Sequence, residues 1–153
     1  MDATQETVPL PGIPVSAGAL IYDRGERLLI LKPTYKSGWT IPGGVMEADG
    51  ESPWEACQRE VREETGLEVS RGRLAAMDFR PAKPGRLAGI RYLFDCGQVS
   101  DQELANVKLQ PEEISDSQLV SLTEAFTLLR GPISRRVQSA TQGHFYLEDG
   151  RPV

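Results

Sequence analysis

Five glutamates fall within fourteen positions at the start of ESPWEACQREVREETGL, residues 51–67, and three of them, Glu60, Glu63 and Glu64, stand almost together. At the helical 100° per residue these three share an arc of about 100°, so their carboxylates are neighbours. Glu60 and Glu64 make a like-charged i,i+4 pair that costs about a few tenths of a kcal/mol. A face built for solubility tends instead to set Lys or Arg four residues from Glu. A carboxylate cluster without His or Cys in it suits a hard divalent cation, Mg²⁺ or Mn²⁺, which takes oxygen ligands, keeps several waters and bridges to substrate phosphates. Charge content alone favours the plainer alternative of a solvated helix face.

The element that must carry these carboxylates is marked at both ends. Ser52, Pro53, Trp54 and Glu55 read as a capping box with Pro at the first helical position, and Gly66 stands where a left-handed C-terminal residue is wanted. Trp54, Cys57, Val61 and Thr65 form the narrow stripe expected to face the core.

Around this helix, residues 15–22 and 27–32 have the content of two strands joined by the turn 23–26, with Pro33 ending the second. Residues 33–50 form a Gly- and aromatic-containing loop. Residues 67–79 and 89–99 read as strands separated by the basic stretch 80–88, and 105–110 as a further short strand. Helices are expected over 121–130 and over 132–142, the latter opening at Pro132 and stopping at Gly143, with the tail 144–153 pairing as a last edge strand. Interspersed strands and helices with tight strand-to-strand turns predict an α/β sandwich around a mixed β-sheet. Residues 1–14, with three prolines, are expected to be an extended arm leading into one domain over 15–153.

Composition bounds the function. A chain of 153 residues, 39% hydrophobic and 25% charged, is ordinary for one globular domain. A formal net charge of -5 argues against a nucleic-acid polymer or a membrane surface as partner and for a small molecule. Cys57 and Cys96 are distant in sequence and accompany a single histidine, His144, so neither a disulfide framework nor a zinc site is implied, and all three are expected to be structural. A reducing compartment fits. The polar opening residues carry no basic start or apolar run, so a cytoplasmic location is expected.

With these residues in view, the stretch from Gly44 to Leu67 resembles the Nudix box: Gly, five residues, Glu, seven residues, then Arg-Glu-aliphatic-any-Glu-Glu-any-Gly-aliphatic. Glu51, Arg59, Glu60, Val61, Glu63, Glu64, Gly66 and Leu67 keep that spacing, a coincidence on the order of one in a million at average residue frequencies. The approach through Trp39, Thr40, Ile41, Pro42 and Gly43 is also similar to the family's. One departure stands out: six residues, VMEADG, separate Gly44 from Glu51 where the pattern has five, Gly50 being the extra one. Lying in a loop before the Ser52 cap, it should be absorbed without rotating the helix.

The resemblance implies a Nudix-like α/β/α sandwich and metal-dependent hydrolysis of a diphosphate in a nucleoside diphosphate derivative or nucleoside triphosphate. It implies Glu60 and Glu64 as main ligands of Mg²⁺ (Mn²⁺ being the substitute), Glu63 as a ligand or water contact, and the Gly44 carbonyl as a further ligand. Arg59 would orient Glu60 by a charge-assisted hydrogen bond, and Glu51 would bridge loop to helix. The expected partner is a small-molecule nucleotide, and a homodimer is compatible with the family. A domain that senses a ligand without turnover, and isomerase chemistry on an isoprenoid diphosphate, are the competing classes.

Further candidates follow. Arg80, Lys83, Arg86 and Arg91 are candidates for phosphate contacts, although a basic loop is more often only solvated, and Tyr35, Trp39 and Phe79 are candidates for stacking on a base, Trp39 the best of them. Glu112 and Glu113, after Pro111, resemble acids that complete the metal site or supply the base in relatives. Pro111 is expected to end a strand, leaving both on a mobile connection.

Overall fold

The computed structural model describes residues 8–153, so half of the expected N-terminal arm lies outside the described residues; residues 8–14 form neither helix nor strand. Two central strands organise the rest. Strand β1, Val15–Tyr22, alternates its side chains between two layers: Ala17, Ala19 and Ile21 enter one apolar cluster, and Leu20 the other. Strand β2, Leu28–Pro33, does the same, sending Leu29 and Leu31 to one side and Leu28 and Ile30 to the other. Both strands are therefore buried on both faces, as a sheet covered by helices requires.

The remaining elements are β3 (Gly43–Val45), α1 (Pro53–Thr65), β4 (Arg73–Arg80), β5 (Gly89–Gln98), α2 (Asp101–Ala105), β6 (Ile114–Val120), α3 (Leu122–Leu128), α4 (Gly131–Thr141), β7 (Tyr146–Glu148) and β8 (Arg151–Pro152). The strand order is β6-β2-β1-β5-β4-β7-β8, with β3 paired to β1 off this path. β1 runs parallel to β5 and β4 parallel to β7, while the other pairs are antiparallel, giving the expected mixed sheet. Helix α1 covers one face through Ala56, Cys57 and Val61; α3 and α4 cover the other through Ala125, Val137 and Ala140.

The edge of β1 that faces β2 is split. β2 registers at Tyr22↔Leu28, whereas β3 pairs with Ser16, Ala17 and Gly18 at the opposite end. This inserts Gly43 and Gly44 into the sheet directly beneath α1. A Cβ at Gly43, whose φ is +154°, would collide with the backbone of Ala17 and Gly18, so only glycine allows the two chains to approach this closely.

Several sequence expectations are corrected. The loop 33–50 contains β3, which has too little side chain for a strand signal. The strand expected from residue 67 begins at Arg73, because Leu67 and Val69 pack under α1 as irregular chain. No strand forms over 105–110: α2 opens with a capping box from Ser100 and Glu103, and the chain then docks on the end of α1, the Lys108 and Gln110 amides donating to the Thr65 and Glu64 carbonyls. Pro111 accordingly ends no strand, and an unforeseen strand, β6, follows it and pairs with β2. The connection bearing Glu112 and Glu113 is pinned, with Thr34 N–H donating to the Glu113 carbonyl and Thr34 Oγ1 to that of Glu112, both at 2.8 Å.

The two cysteines, distant in sequence, meet in the α1-side cluster and are free; Cys96 and burial together push the Cys57 thiol well above its ordinary range. His144 is exposed. Among the described residues no helix is long and apolar enough to cross a membrane.

Candidate active site

Helix α1 begins as its sequence dictates: Ser52 Oγ accepts from Glu55 N–H and the Glu55 carboxylate accepts from Ser52 N–H, while Gly66 closes the helix at φ +77°. That fixed start aims Arg59, Glu60, Glu63 and Glu64 toward β3. Arg59 is the hub. Its Nε and Nη2 donate to the two oxygens of Glu51 at 2.7 and 3.0 Å, and Nη1 donates to Glu60 at 2.9 Å and Glu63 at 3.2 Å. Nη2 also donates to the Val45 carbonyl at 3.1 Å, tying helix to strand. The bidentate contact holds the Glu51 carboxyl down at about 2.

The extra residue before Glu51 is taken up in the turn 48–50: Gly50 has φ +94° and open space around it. Glu47 N–H donates to Glu51 at 3.0 Å, and the Glu47 carboxylate lies 3.6 Å from Arg59.

Glu64 is buried, with Oε1 accepting from Gly43 N–H at 2.8 Å. Burial, followed by the fields of Glu60, Glu113 and Glu63, pushes its carboxyl up to about 8 against the relief from Gly43. Glu60 is raised by burial too, with Arg59 opposing and Glu63 and Glu113 adding. Gly44 underlies Glu60 so closely that a Cβ there would lie 2.5 Å from its carboxyl carbon. Of the pair on the pinned turn, Glu113 acts on Glu60, Glu64 and Tyr35, whereas Glu112 enters none of these interactions. Glu63 and Glu113 thus act on both Glu60 and Glu64.

Gly43 and Gly44 also form one end of a cavity of about 260 Å³, whose wall includes Tyr35, Lys36, Arg80, Arg91 and Arg130. Three of the residues expected as substrate contacts, Tyr35, Arg80 and Arg91, therefore line this cavity. Trp39 and Phe79 are not among the lining residues. Trp39 packs against the core beneath α3, its amide donating to Leu128 and its carbonyl accepting from Arg130. Phe79 follows Asp78 and precedes Arg80 on β4, so strand alternation turns it to the other face of the sheet. Lys83 and Arg86 close a tight turn on each other's backbone and stand outside the cavity. Lys36 and Arg130 had no sequence signal; they come from a loop and a helix start that only the fold brings beside β4 and β5.

The NUDIX domain family model matches residues 12–140. A MutT-like protein of Streptomyces ambofaciens is 31% identical over 119 residues, 76% of each chain. The structure of a MutT protein from Methanosarcina mazei Go1 superposes with a TM-score of 0.72 at 28% identity, covering 85% of this chain and 94% of that one. The NUDIX domain of Shewanella oneidensis NrtR, solved with ADP ribose, shares the fold at a TM-score of 0.70 and 14% identity, covering 92% of this chain and 94% of that one. The chain therefore belongs to the NUDIX family, and as an enzyme its class is that of the NUDIX hydrolases.

Proposed function

We propose that the chain hydrolyses a diphosphate linkage in a nucleoside diphosphate derivative or nucleoside triphosphate, with Mg²⁺ as cofactor and Mn²⁺ as its substitute. The observation that carries this reading is the placement of Glu64 on Gly43 and Glu60 on Gly44, at one end of a cavity with basic walls, with Glu63 and Glu113 acting on both carboxyls. The donor set fits: it consists of oxygens only, its carboxylates in an excess of like charge that burial makes unfavourable until a cation enters. Among the described residues no three acids converge as a ready-made cage. Arg59 and Gly43 instead hold Glu60, Glu63 and Glu64 one by one, and these three with the Gly44 carbonyl would exchange those bonds for the ion. Once bound, it supplies positive charge against the diphosphate and acidifies the attacking water.

The chain's own groups do the rest. Arg59 keeps Glu60 oriented, and Glu51 clamps Arg59 between loop and helix. Glu113 accepts the water's proton, since glutamates occupied as ligands retain little basicity. Arg80 and Arg91 hold the anionic substrate, with Tyr35 at the cavity mouth as its aromatic surface. ADP ribose in the Shewanella domain gives one example of such a nucleotide in this fold. A sensor without turnover is the competing reading; retention of every carboxylate counts against it.

The test is product release from a panel of nucleoside triphosphates, nucleotide sugars and dinucleotides with Mg²⁺ present. Turnover of at least one, abolished by chelation and restored by Mg²⁺, is the expected result. Full activity after exhaustive chelation would overturn the metal role, and binding of a panel member without turnover would return the sensor reading.

A further inference from the structure

The cavity wall opposes the overall charge of the protein. In a chain of net charge -5, no acid among the described residues lines this cavity, while Lys36, Arg80, Arg91, Arg130 and Arg136 do. Arg136 is spoken for, its Nε donating to buried Asp78 at 2.8 Å. Arg91 Nη1 donates to Ser16 Oγ at 2.9 Å, a neutral partner. Among the described residues none of Lys36, Arg80, Arg91 and Arg130 pairs with a carboxylate within 4.0 Å.

These four cations repel one another. Lys36 is depressed by burial and then by Arg130, Arg80 and Arg91; Arg80 and Arg91 are depressed by burial and by neighbouring guanidinium groups, with Asp149 and Asp78 respectively opposing in part. Helix α4 adds to the positive field, because its N-cap, Arg130, makes no side-chain cap and its first turn contains no acid. Such a wall is unfavourable unless an anion completes it.

The scissile diphosphate does not account for that anion. On the reading above, its charge is met by divalent cations at Glu60, Glu63 and Glu64, so the part of the anionic substrate that Arg80 and Arg91 hold, together with Lys36 and Arg130, is a further group. The cavity of about 260 Å³ lies just below the roughly 300 Å³ at which small-molecule sites begin, room for one sugar-sized fragment rather than two nucleosides. We propose that the substrate carries, beyond its scissile diphosphate, a phosphate monoester on a sugar, and that Lys36, Arg80, Arg91 and Arg130 form the subsite that binds this phosphate.

This inference rests on the diphosphate-hydrolase reading for the identity of the substrate, but its test has an arm that does not. In the first arm the full chain, with chelator and no divalent cation, is titrated calorimetrically with ribose 5-phosphate and with ribose. Ribose 5-phosphate should bind, ribose should not, and Arg80→Gln and Arg130→Gln should each weaken binding by on the order of tenfold, with melting curves verifying that both variants fold. Absence of ribose 5-phosphate binding, or binding indifferent to both substitutions, overturns the subsite.

In the second arm NADPH and NADH are compared with Mg²⁺ present, since they share a diphosphate and differ by one phosphate monoester. A kcat/KM preference of about tenfold or more for NADPH, falling toward unity in Arg130→Gln, supports the proposal. Equal turnover of both overturns it while leaving diphosphate hydrolysis intact. If neither is hydrolysed, the first arm alone decides the subsite.

Discussion

On the α1 side of Gly43 and Gly44, an arginine lies inside the cluster of like charges: Arg59 bonds to Glu51, Glu60 and Glu63, and Gly43 N–H bonds to Glu64. On the other side, among the described residues no carboxylate lines the wall that holds Lys36, Arg80, Arg91 and Arg130, and Asp149 and Asp78 act on Arg80 and Arg91 without bonding to them. The acidic cluster is thus held in place by a bonded counter-charge, whereas among the described residues the four cations of the basic wall have none. The physical lesson is that groups needed at fixed positions for chemistry are braced from within, at the expense of charge available to a ligand. Groups whose task is to hold an incoming anion keep their full charge and their freedom to adapt.

The largest effect should come from breaking the braced side. Glu64→Gln is expected to lower kcat by on the order of 10² to 10⁴ while the melting temperature stays unchanged or rises, since Gln keeps an oxygen acceptor for Gly43 N–H and cannot ionise in its buried position. The same substitution has a pH signature in chelated protein. Glu64 is raised from the ordinary 4.5 to about 8, so across that window the native state keeps a proton that the unfolded chain releases. Stability should therefore fall as pH rises from about 4.5 to about 8, and Glu64→Gln should flatten the fall. A metal-free stability curve that rises over this range would contradict the buried carboxylate.

Next in size is the contrast within the pinned turn. Glu113→Gln should lower single-turnover rates by roughly 10² or more at saturating Mg²⁺, and Glu112→Gln by much less, because only Glu113 acts on Glu60 and Glu64. Near-normal rates in both single variants and in the double variant would make these acids surface charge.

The two sides should then differ in stability. Arg59→Met strips the counter-charge from three carboxylates and should lower the melting temperature by roughly 5 °C. Arg80→Gln relieves repulsion and should leave it within about 2 °C or raise it. Equal losses in the two variants would erase the distinction between braced and open clusters. The smallest effect is expected from deleting Gly50, which stands in open space ahead of an independently capped helix; most of the activity should survive. Complete loss with the fold preserved would show that the longer loop places a ligand.

How much of this was legible depended on how local the cause was. Helix α1 could be read because Ser52, Glu55 and Gly66 act within a turn of their own positions, and Arg59 through Glu64 because their spacing is fixed by the helix they share. Strand β6 could not: of ISDSQLV only Ile114 and Val120 are buried, so its extension comes from pairing with β2. Helix α2 had a usable signal in the Ser100 and Glu103 box, obscured by the strand-like residues after it. The basic wall had none, because residues 36, 80, 91 and 130 become neighbours only when β4, β5 and the start of α4 assemble. Trp39 misled by standing beside the glycine-rich approach while its ring packs inward.

The Asp78 carboxylate, 1% exposed, accepts from Arg136 Nε and, at 2.9 Å, from the amide of Gly150, 72 residues further along. This sets an order of events during synthesis. Until Gly150 has left the ribosome, β4 carries a charge that cannot be sealed into the interior, and at about 5–20 residues per second that wait lasts several seconds. Contacts of such long separation also form late in spontaneous refolding. The α1-side cluster draws on no described residue beyond Leu119, whereas the seat that holds Arg136 on Asp78 is completed only by Gly150.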